Sequence, residues 1–270
     1  MKILIVGCGD IGTKVGYKLL KEGHTVHALK RIPPSDTNTI FYIKTDITDE
    51  SQIKSINTDY DMVLFIPTVD SRTQEAYTEL YDVGLNNVLS HFSRKNNKTV
   101  FIFISSSIVY SQNKGEEVSE ETTLLEGVNF RADILMQAEQ RVLQHNEKSI
   151  VLRFSGIYGR GEQHMVKKLK KKTPVQETPP YYTNRIHVDD CVNSILFMIE
   201  KSTKEKLAKH IYNVTQTKVL SLYEYACVVA KENGLGTPVK EIRKEKDTSQ
   251  GKKISNKSLQ SLGYKFLHNS

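Results

Sequence analysis

The chain has 270 residues, of which 38% are hydrophobic and 26% charged, enough apolar material for a sizeable core and the wrong balance for a disordered chain. Lys and Arg number 38 against 31 Asp plus Glu, a formal charge of +7 that favours anionic partners without choosing among them. No run approaches the roughly 18 apolar residues of a membrane span. The three cysteines, Cys8, Cys191 and Cys227, form no CxxC pair or zinc-like spacing. Neither a disulfide framework nor a metal centre is therefore expected, and a reducing cytoplasm is the expected location.

In chain order, Lys2–Val6 reads as a buried strand, Ile11–Glu22 as an amphipathic helix and His24–Leu29 as a second strand. Phe41–Ile43 and Met62–Ile66 follow as strands, Thr73–Ser93 has helical spacing, Val100–Ile104 is an apolar strand, Asp133–Leu143 a helix and Ile150–Phe154 a strand. Pro174–Pro180 reads as a loop, followed by a helix at Asp190–Glu200, a strand at His210–Val214, a helix at Leu222–Asn233 and a polar, lysine-rich tail. Short apolar runs alternating with amphipathic segments are the signature of βαβ units, so the expected fold is α/β, a Rossmann-type doubly wound parallel sheet with a smaller C-terminal lobe. The expected division is a dinucleotide-binding domain over 1–160 and a substrate lobe over 161–270, with the chain near 185–215 packing back on the first. The basic excess belongs to the second part: 18 basic and 20 acidic residues lie up to Arg160, 20 and 11 beyond it.

Gly7-Cys8-Gly9-Asp10-Ile11-Gly12 matches GxGxxG directly after the first strand and at the opening of a helix. In that context Gly7 makes the tight turn, Gly9 lets a pyrophosphate approach the backbone and Gly12 allows close helix–strand packing, while the free N–H groups at Asp10 and Ile11 favour an anion. An NAD-selective site places an acidic residue about 20 positions further on; here stand Lys30 and Arg31. A guanidinium at that point pairs with a 2′-phosphate, which favours NADP over NAD. Asp46 is placed either to bond the adenine or to cap the helix that follows.

Four further segments carry a family resemblance: Ser105-Ser106-Ser107-Ile108-Val109-Tyr110, Arg153-Phe154-Ser155-Gly156-Ile157-Tyr158-Gly159, Arg185-Ile186-His187-Val188-Asp189-Asp190 and His210-Ile211-Tyr212-Asn213-Val214. In this order they resemble the NAD-dependent epimerase/dehydratase family of extended short-chain dehydrogenase/reductases. The tail residues Ser255-Asn256 and Leu262-Gly263-Tyr264 resemble an atypical branch called YeeZ-like. The resemblance implies a nicotinamide dinucleotide in the first lobe, contacted also by Pro67 and Ser105, and a small, anionic, nucleotide-linked substrate under the second. Ser107, Tyr158, Tyr182 and His187 become candidate substrate residues, and a homodimer through the Thr73–Ser93 and Asp133–Leu143 helices is implied.

The family's chemistry uses a Ser or Thr after the fifth strand and a Tyr and Lys four residues apart on the next long helix, the Lys cation lowering the phenol pKa so that Tyr moves a proton as hydride is transferred. Ser106 matches the family Ser. Aligning Ala138-Glu139 with the family's Ala-Glu pair puts Arg131 at the Tyr position and Leu135 at the Lys position, so the usual shuttle is missing; Tyr110, followed by Lys114, is the candidate substitute acid. Lys167, Lys168, Lys170, Lys171 and Lys172 form a cluster that suits a diphosphate or a solvated helix face. Two functions follow: an oxidoreductase or sugar-nucleotide epimerase with an altered proton shuttle, or a noncatalytic NAD(P)-binding sensor. Nucleic-acid binding lacks any recognisable module.

Overall fold

The computed structural model describes residues 1–35, 40–93, 98–159, 164–244 and 248–268. Its centre is a seven-stranded parallel sheet built from β1 (Lys2–Val6), β2 (Thr25–Lys30), β3 (Phe41–Lys44), β4 (Met62–Phe65), β5 (Val100–Ser106), β7 (Ile150–Phe154) and β12 (Ile211–Val214), in the order β12-β7-β5-β4-β1-β2-β3. Parallel strands covered on both faces need apolar residues on both sides of the pleat. Alternate residues of β1 accordingly enter two cores: Ile3 and Ile5 pack with α1 (Asp10–Lys21) and α7 (Val188–Lys204), Leu4 and Val6 with α4 (Leu85–Ser93) and α5 (Phe130–His145). Strand order reverses between β1 and β4, so a crevice opens beyond their carboxyl ends, where open α/β sheets bind ligands.

Several elements differ from the sequence expectation. The Thr73–Ser93 segment is α3 (Gln74–Tyr77), a π-helical turn at Thr78–Gly84, then α4, and a Cβ on Gly84 would lie 2.8 Å from Ile47, so close packing governs that turn. The helix expected from Asp133 begins at Phe130, because the Asn129 side chain accepts from the Arg131 N–H. The short α2 (Glu50–Lys54), capped by Asp49, had no strong pattern.

A smaller lobe has its own core of Met165, Leu169, Val175, Ala226, Val229 and Ala230, contributed by α6 (His164–Lys170), β9 (Val175–Thr178) and α8 (Leu222–Glu232). The Pro174–Pro180 loop thus contains a strand, paired with β14 (Lys240–Ile242). The lysine-rich tail, to which the sequence assigned no element, supplies β14, β15 (Gly251–Ile254) and α9 (Lys257–Ser261). β15 pairs with β6 (Lys114–Val118) and β10 (Tyr182–Thr183), which also meets β13 (Leu220–Ser221). Near the lobe junction, β8 (Gly156–Tyr158) pairs with β11 (Arg185–His187). The expected boundary at Arg160 and Gly161 lies outside the described residues, while β12 and α7 pack on the first lobe. No helix among the described residues is long and apolar enough to cross a membrane.

Candidate functional site: a dinucleotide cleft and a basic pocket

The crevice at the carboxyl ends of β1 and β4 is a cleft of about 540 Å³. Gly7, Gly9, Asp10, Ile11, Gly12, Lys30, Arg31, Asp46 and Pro67 all line it, brought from four separate segments. The three glycines differ in the way a phosphate-binding turn requires. Gly7 has φ +84°, and a Cβ there would lie 2.3 Å from the Pro67 backbone. A Cβ on Gly12 would lie 3.3 Å from the Gly7 carbonyl and Ile5. On Gly9 it would meet nothing within 4 Å. Gly9 is also the N-cap of α1 and offers no side chain to the helix's first N–H groups, so the positive end of the helix faces open space into which a pyrophosphate fits.

The adenosine end is more crowded than the sequence indicates. Lys30 Nζ donates to the Cys8 carbonyl at 3.0 Å, bracing the glycine turn. Arg31 pairs with Asp70 through two contacts of 2.8 Å, both side chains exposed. That hydrogen bond and charge hold the Asp70 carboxyl below its ordinary value and raise the guanidinium, with Asp46 and Glu79 adding to the field. Asp46 accepts from the Thr48 N–H and hydroxyl; the cap of α2 falls to Asp49 instead. Asp70, Glu79, Thr68, Ile157 and Val188 also line the cleft and were missed in the sequence: no local motif marks the first three, and Ile157 and Val188 lie in family-like segments without a role of their own.

The segment expected to carry chemistry is largely occupied by structure. Ser105, expected at the cofactor, is buried, is not among the cleft residues and donates to Glu139 at 2.6 Å. Ser106 caps a 3₁₀ turn at Ser107–Val109, its hydroxyl accepting from the Ile108 N–H at 3.3 Å. Tyr110 is 1% exposed; its hydroxyl donates to Asn213 at 2.8 Å and accepts from Arg153 at 3.0 Å. Burial raises its pKa, only partly countered by Arg153. The structure thus places the Tyr110 oxygen inside a buried network of Ser105, Glu139, Arg153 and Asn213, away from the cleft residues. Burial alone would lower the Arg153 guanidinium, but Glu139 outweighs it and holds the group above its ordinary value. On α5, Leu135, expected from the sequence at the family Lys position, is 2% exposed and packs in the core.

A second pocket of about 400 Å³ lies between the lobes' later segments. Lys167, Lys170, Arg185 and Lys218 line it against one acid, Glu232, together with Tyr158, Gln216 and Tyr225. The Arg185 guanidinium lies 3.9 Å above the Tyr225 ring and 5.4 Å from that of Tyr158, a stacked arrangement that keeps the cation oriented while desolvated. Tyr158 alone of the four expected substrate residues reaches this pocket. Tyr182 sits in the small sheet under Lys253, Ser107 lies in the 3₁₀ turn, and His187 packs edge-on against Tyr158 and in a tilted stack against His268. His187 also caps α7 by accepting the Asp189 N–H at 3.2 Å. Arg185 opens one of the family-like segments but was assigned no role there; Lys218, Gln216 and Tyr225 carried no signal.

Fold and cleft together define a dinucleotide-binding Rossmann protein with a small second lobe. The profile of the RmlD substrate binding domain family matches residues 1–264, and the chain belongs to that family, among the NAD-dependent epimerase/dehydratase-like short-chain dehydrogenase/reductases. A Methylobacillus flagellatus protein, provisionally assigned as an NAD-dependent epimerase/dehydratase, is 27% identical with a TM-score of 0.82, covering 100% of this chain and 94% of its own. The UDP-glucuronic acid 4-epimerase of Bacillus cereus, solved in complex with NAD, is 19% identical with a TM-score of 0.78 over 99% and 94% of the two chains. The UDP-glucose 4-epimerase of Thermotoga maritima, solved with UDP-glucose, is 18% identical with a TM-score of 0.76 over the same shares. Among curated proteins none matches the sequence.

Proposed function

We propose that this protein is an NAD(P)-dependent oxidoreductase or epimerase acting on a nucleotide-linked sugar. The observation that carries the reading is the open cradle over Gly9 at the start of α1, continuous with a cleft of about 540 Å³ that runs on to Arg31 and Asp70. When bound, the nicotinamide would supply a hydride acceptor or donor. The chain's own residues would do the rest: the α1 N-terminus holds the pyrophosphate, Pro67 and Ile157 bound the cleft, and Lys167, Lys170, Arg185 and Lys218 take the substrate's diphosphate. The sugar-nucleotide ligands named for the Bacillus and Thermotoga epimerases support that substrate class.

NADP is the favoured cofactor. Exposed ion pairs such as Arg31–Asp70 contribute little, whereas a 2′-phosphate offers Arg31 charge-assisted, bidentate bonds, so the ligand displaces Asp70. Three cysteines without disulfides favour a reducing cytoplasm, and a homodimer through α4 and α5 completes the proposal. The YeeZ-like placement rests on tail residues that here have structural partners: Asn256 donates to the Thr215 carbonyl and Tyr264 to Asp190.

A second reading, a noncatalytic NAD(P) sensor, is favoured by one observation: Leu135, which the sequence aligns with the family Lys, is buried. Fluorescence titration with NADPH and NADH, followed by a screen of UDP-sugars for cofactor oxidation or epimer formation, separates the two. Binding with turnover is expected. Binding without turnover selects the sensor, and no binding to either cofactor ends both readings.

A further inference from the structure

We infer that His187, Asp189 and His268 form a binding site for one divalent transition-metal ion against the wall of the dinucleotide cleft. Each residue offers one ligand atom, and the three atoms lie within 4.8 Å of one another. Asp189 Oδ2 is 3.5 Å from His187 Nδ1 and 3.6 Å from His268 Nε2. Ligands bound to a tetrahedral ion at about 2.0–2.1 Å stand roughly 3.3 Å apart, so the carboxylate is close to its place already.

Independent anchors hold each ligand. His187 ends β11 and Asp189 lies in the first turn of α7. His268 is fixed through its backbone: its N–H donates to Asp190 Oδ2 at 3.0 Å and its carbonyl accepts from Gln216 at 2.8 Å. The preceding Leu267 N–H and the Tyr264 hydroxyl hold Asp190 Oδ1 at 2.8 and 3.1 Å. The chain's end is thus pinned so that the two imidazoles face each other, centroids 3.7 Å apart. His187 Nδ1 accepts the Asp189 N–H at 3.2 Å, so its single lone pair faces this site, and a bound ion would take that lone pair in place of the long cap bond.

Two imidazoles and one carboxylate suit zinc, cobalt or nickel better than magnesium or calcium. The site is open on one side, with Asp189 and His268 partly exposed, which leaves room for water to complete the shell. Val188, between two of the ligands, lines the cleft, so a bound ion would clamp the chain's end to the cofactor's wall. No short spacing links the two histidines, so no metal-ligand pattern marks the set in the sequence.

The test is isothermal titration of untagged, chelator-stripped protein with Zn²⁺ and with Co²⁺, the latter followed by visible absorption. One equivalent is expected to bind, with cobalt bands of a four- or five-coordinate N/O site. His268→Ala and Asp189→Asn should each weaken binding at least about tenfold, with circular dichroism unchanged for His268→Ala because its side chain is at the surface. Failure to bind one equivalent, or binding that neither variant weakens, overturns the proposal. The readout is independent of dinucleotide binding and of turnover.

Discussion

Glu139 on α5 and Arg153 on β7 form a bidentate ion pair whose side chains are only 4% and 3% exposed, closed by contacts of 2.6–3.2 Å. Ser105 donates a further bond to the carboxylate, and the guanidinium donates one to the Tyr110 hydroxyl. Through Asn213, which also receives Tyr110 and donates to the Ser255 carbonyl, the pair ties α5 and two sheet strands to the C-terminal tail. A buried pair of this kind adds little net stability, but removing one partner strands a charge in the interior. Glu139→Ala is expected to cost about 3–5 kcal/mol, measured by urea denaturation, while the double change Glu139→Leu with Arg153→Met should recover a large part of the loss.

Two glycines of one turn should behave in opposite ways. Gly7→Ala forces a non-glycine residue to φ +84° and drives a Cβ into Pro67 at 2.3 Å, so destabilisation above about 2 kcal/mol is expected. Gly9→Ala meets no protein atom within 4 Å and should leave the urea midpoint nearly unchanged. It should nonetheless weaken NADPH and NADH by about tenfold or more, because the methyl occupies the pyrophosphate's place. Equal cofactor affinity in Gly9→Ala and the parent protein would contradict the cradle.

Arg31 and Asp70 set the balance between the two cofactors. Arg31→Glu should weaken NADPH by about tenfold or more relative to NADH. Asp70→Asn, which frees the guanidinium and removes a nearby negative charge, should tighten NADPH and leave NADH almost unaltered. Both effects should shrink with added salt, as expected of exposed charges. Paired titrations at two ionic strengths decide it.

The basic pocket carries its own prediction. Lys170→Ala with Lys218→Ala removes two of four cations that line it and should reduce UDP binding about tenfold or more at low salt. Dinucleotide affinity should not change, because neither residue lines the first cleft. Calorimetry with UDP and NADPH on the same variant separates the two sites.

Burial lowers the pKa of the His145 imidazole below its ordinary value, and the ring sits edge-on to Phe101 at 4.7 Å. The unfolded chain then takes up a proton first, at about pH 6.5. Stability from the neutral ring is fully present above that pH and is lost as pH falls toward the folded-state pKa. His27 and His187 shift in the same direction, also chiefly through burial. Urea midpoints should fall between pH 7 and pH 5, and His145→Gln should flatten part of that slope.

Local pattern was enough for the first half of the molecule. The apolar runs of β1, β4, β5 and β7 are long, buried and bounded by turn residues, and the glycine spacing at Gly7, Gly9 and Gly12 has one steric solution after a parallel strand. That these glycines, Lys30, Arg31 and Asp46 would share one cleft was therefore legible in local pattern, while Pro67 entered only through the family resemblance. Contacts between distant segments were not. Whether Tyr110 is an acid or a core residue depends on Arg153 and Asn213 reaching its hydroxyl, and whether Arg31 is available depends on Asp70. The polar tail acquires strands only because β6, β9 and β10 satisfy its backbone, a pairing that side-chain pattern does not encode. Sequence alone determined the α/β class and the phosphate turn, because both rest on short-range periodicity and steric exclusion. The tertiary structure decided which polar groups are spent and which face a ligand, because hydrogen-bond partners and burial are set by residues that meet only when the sheet closes.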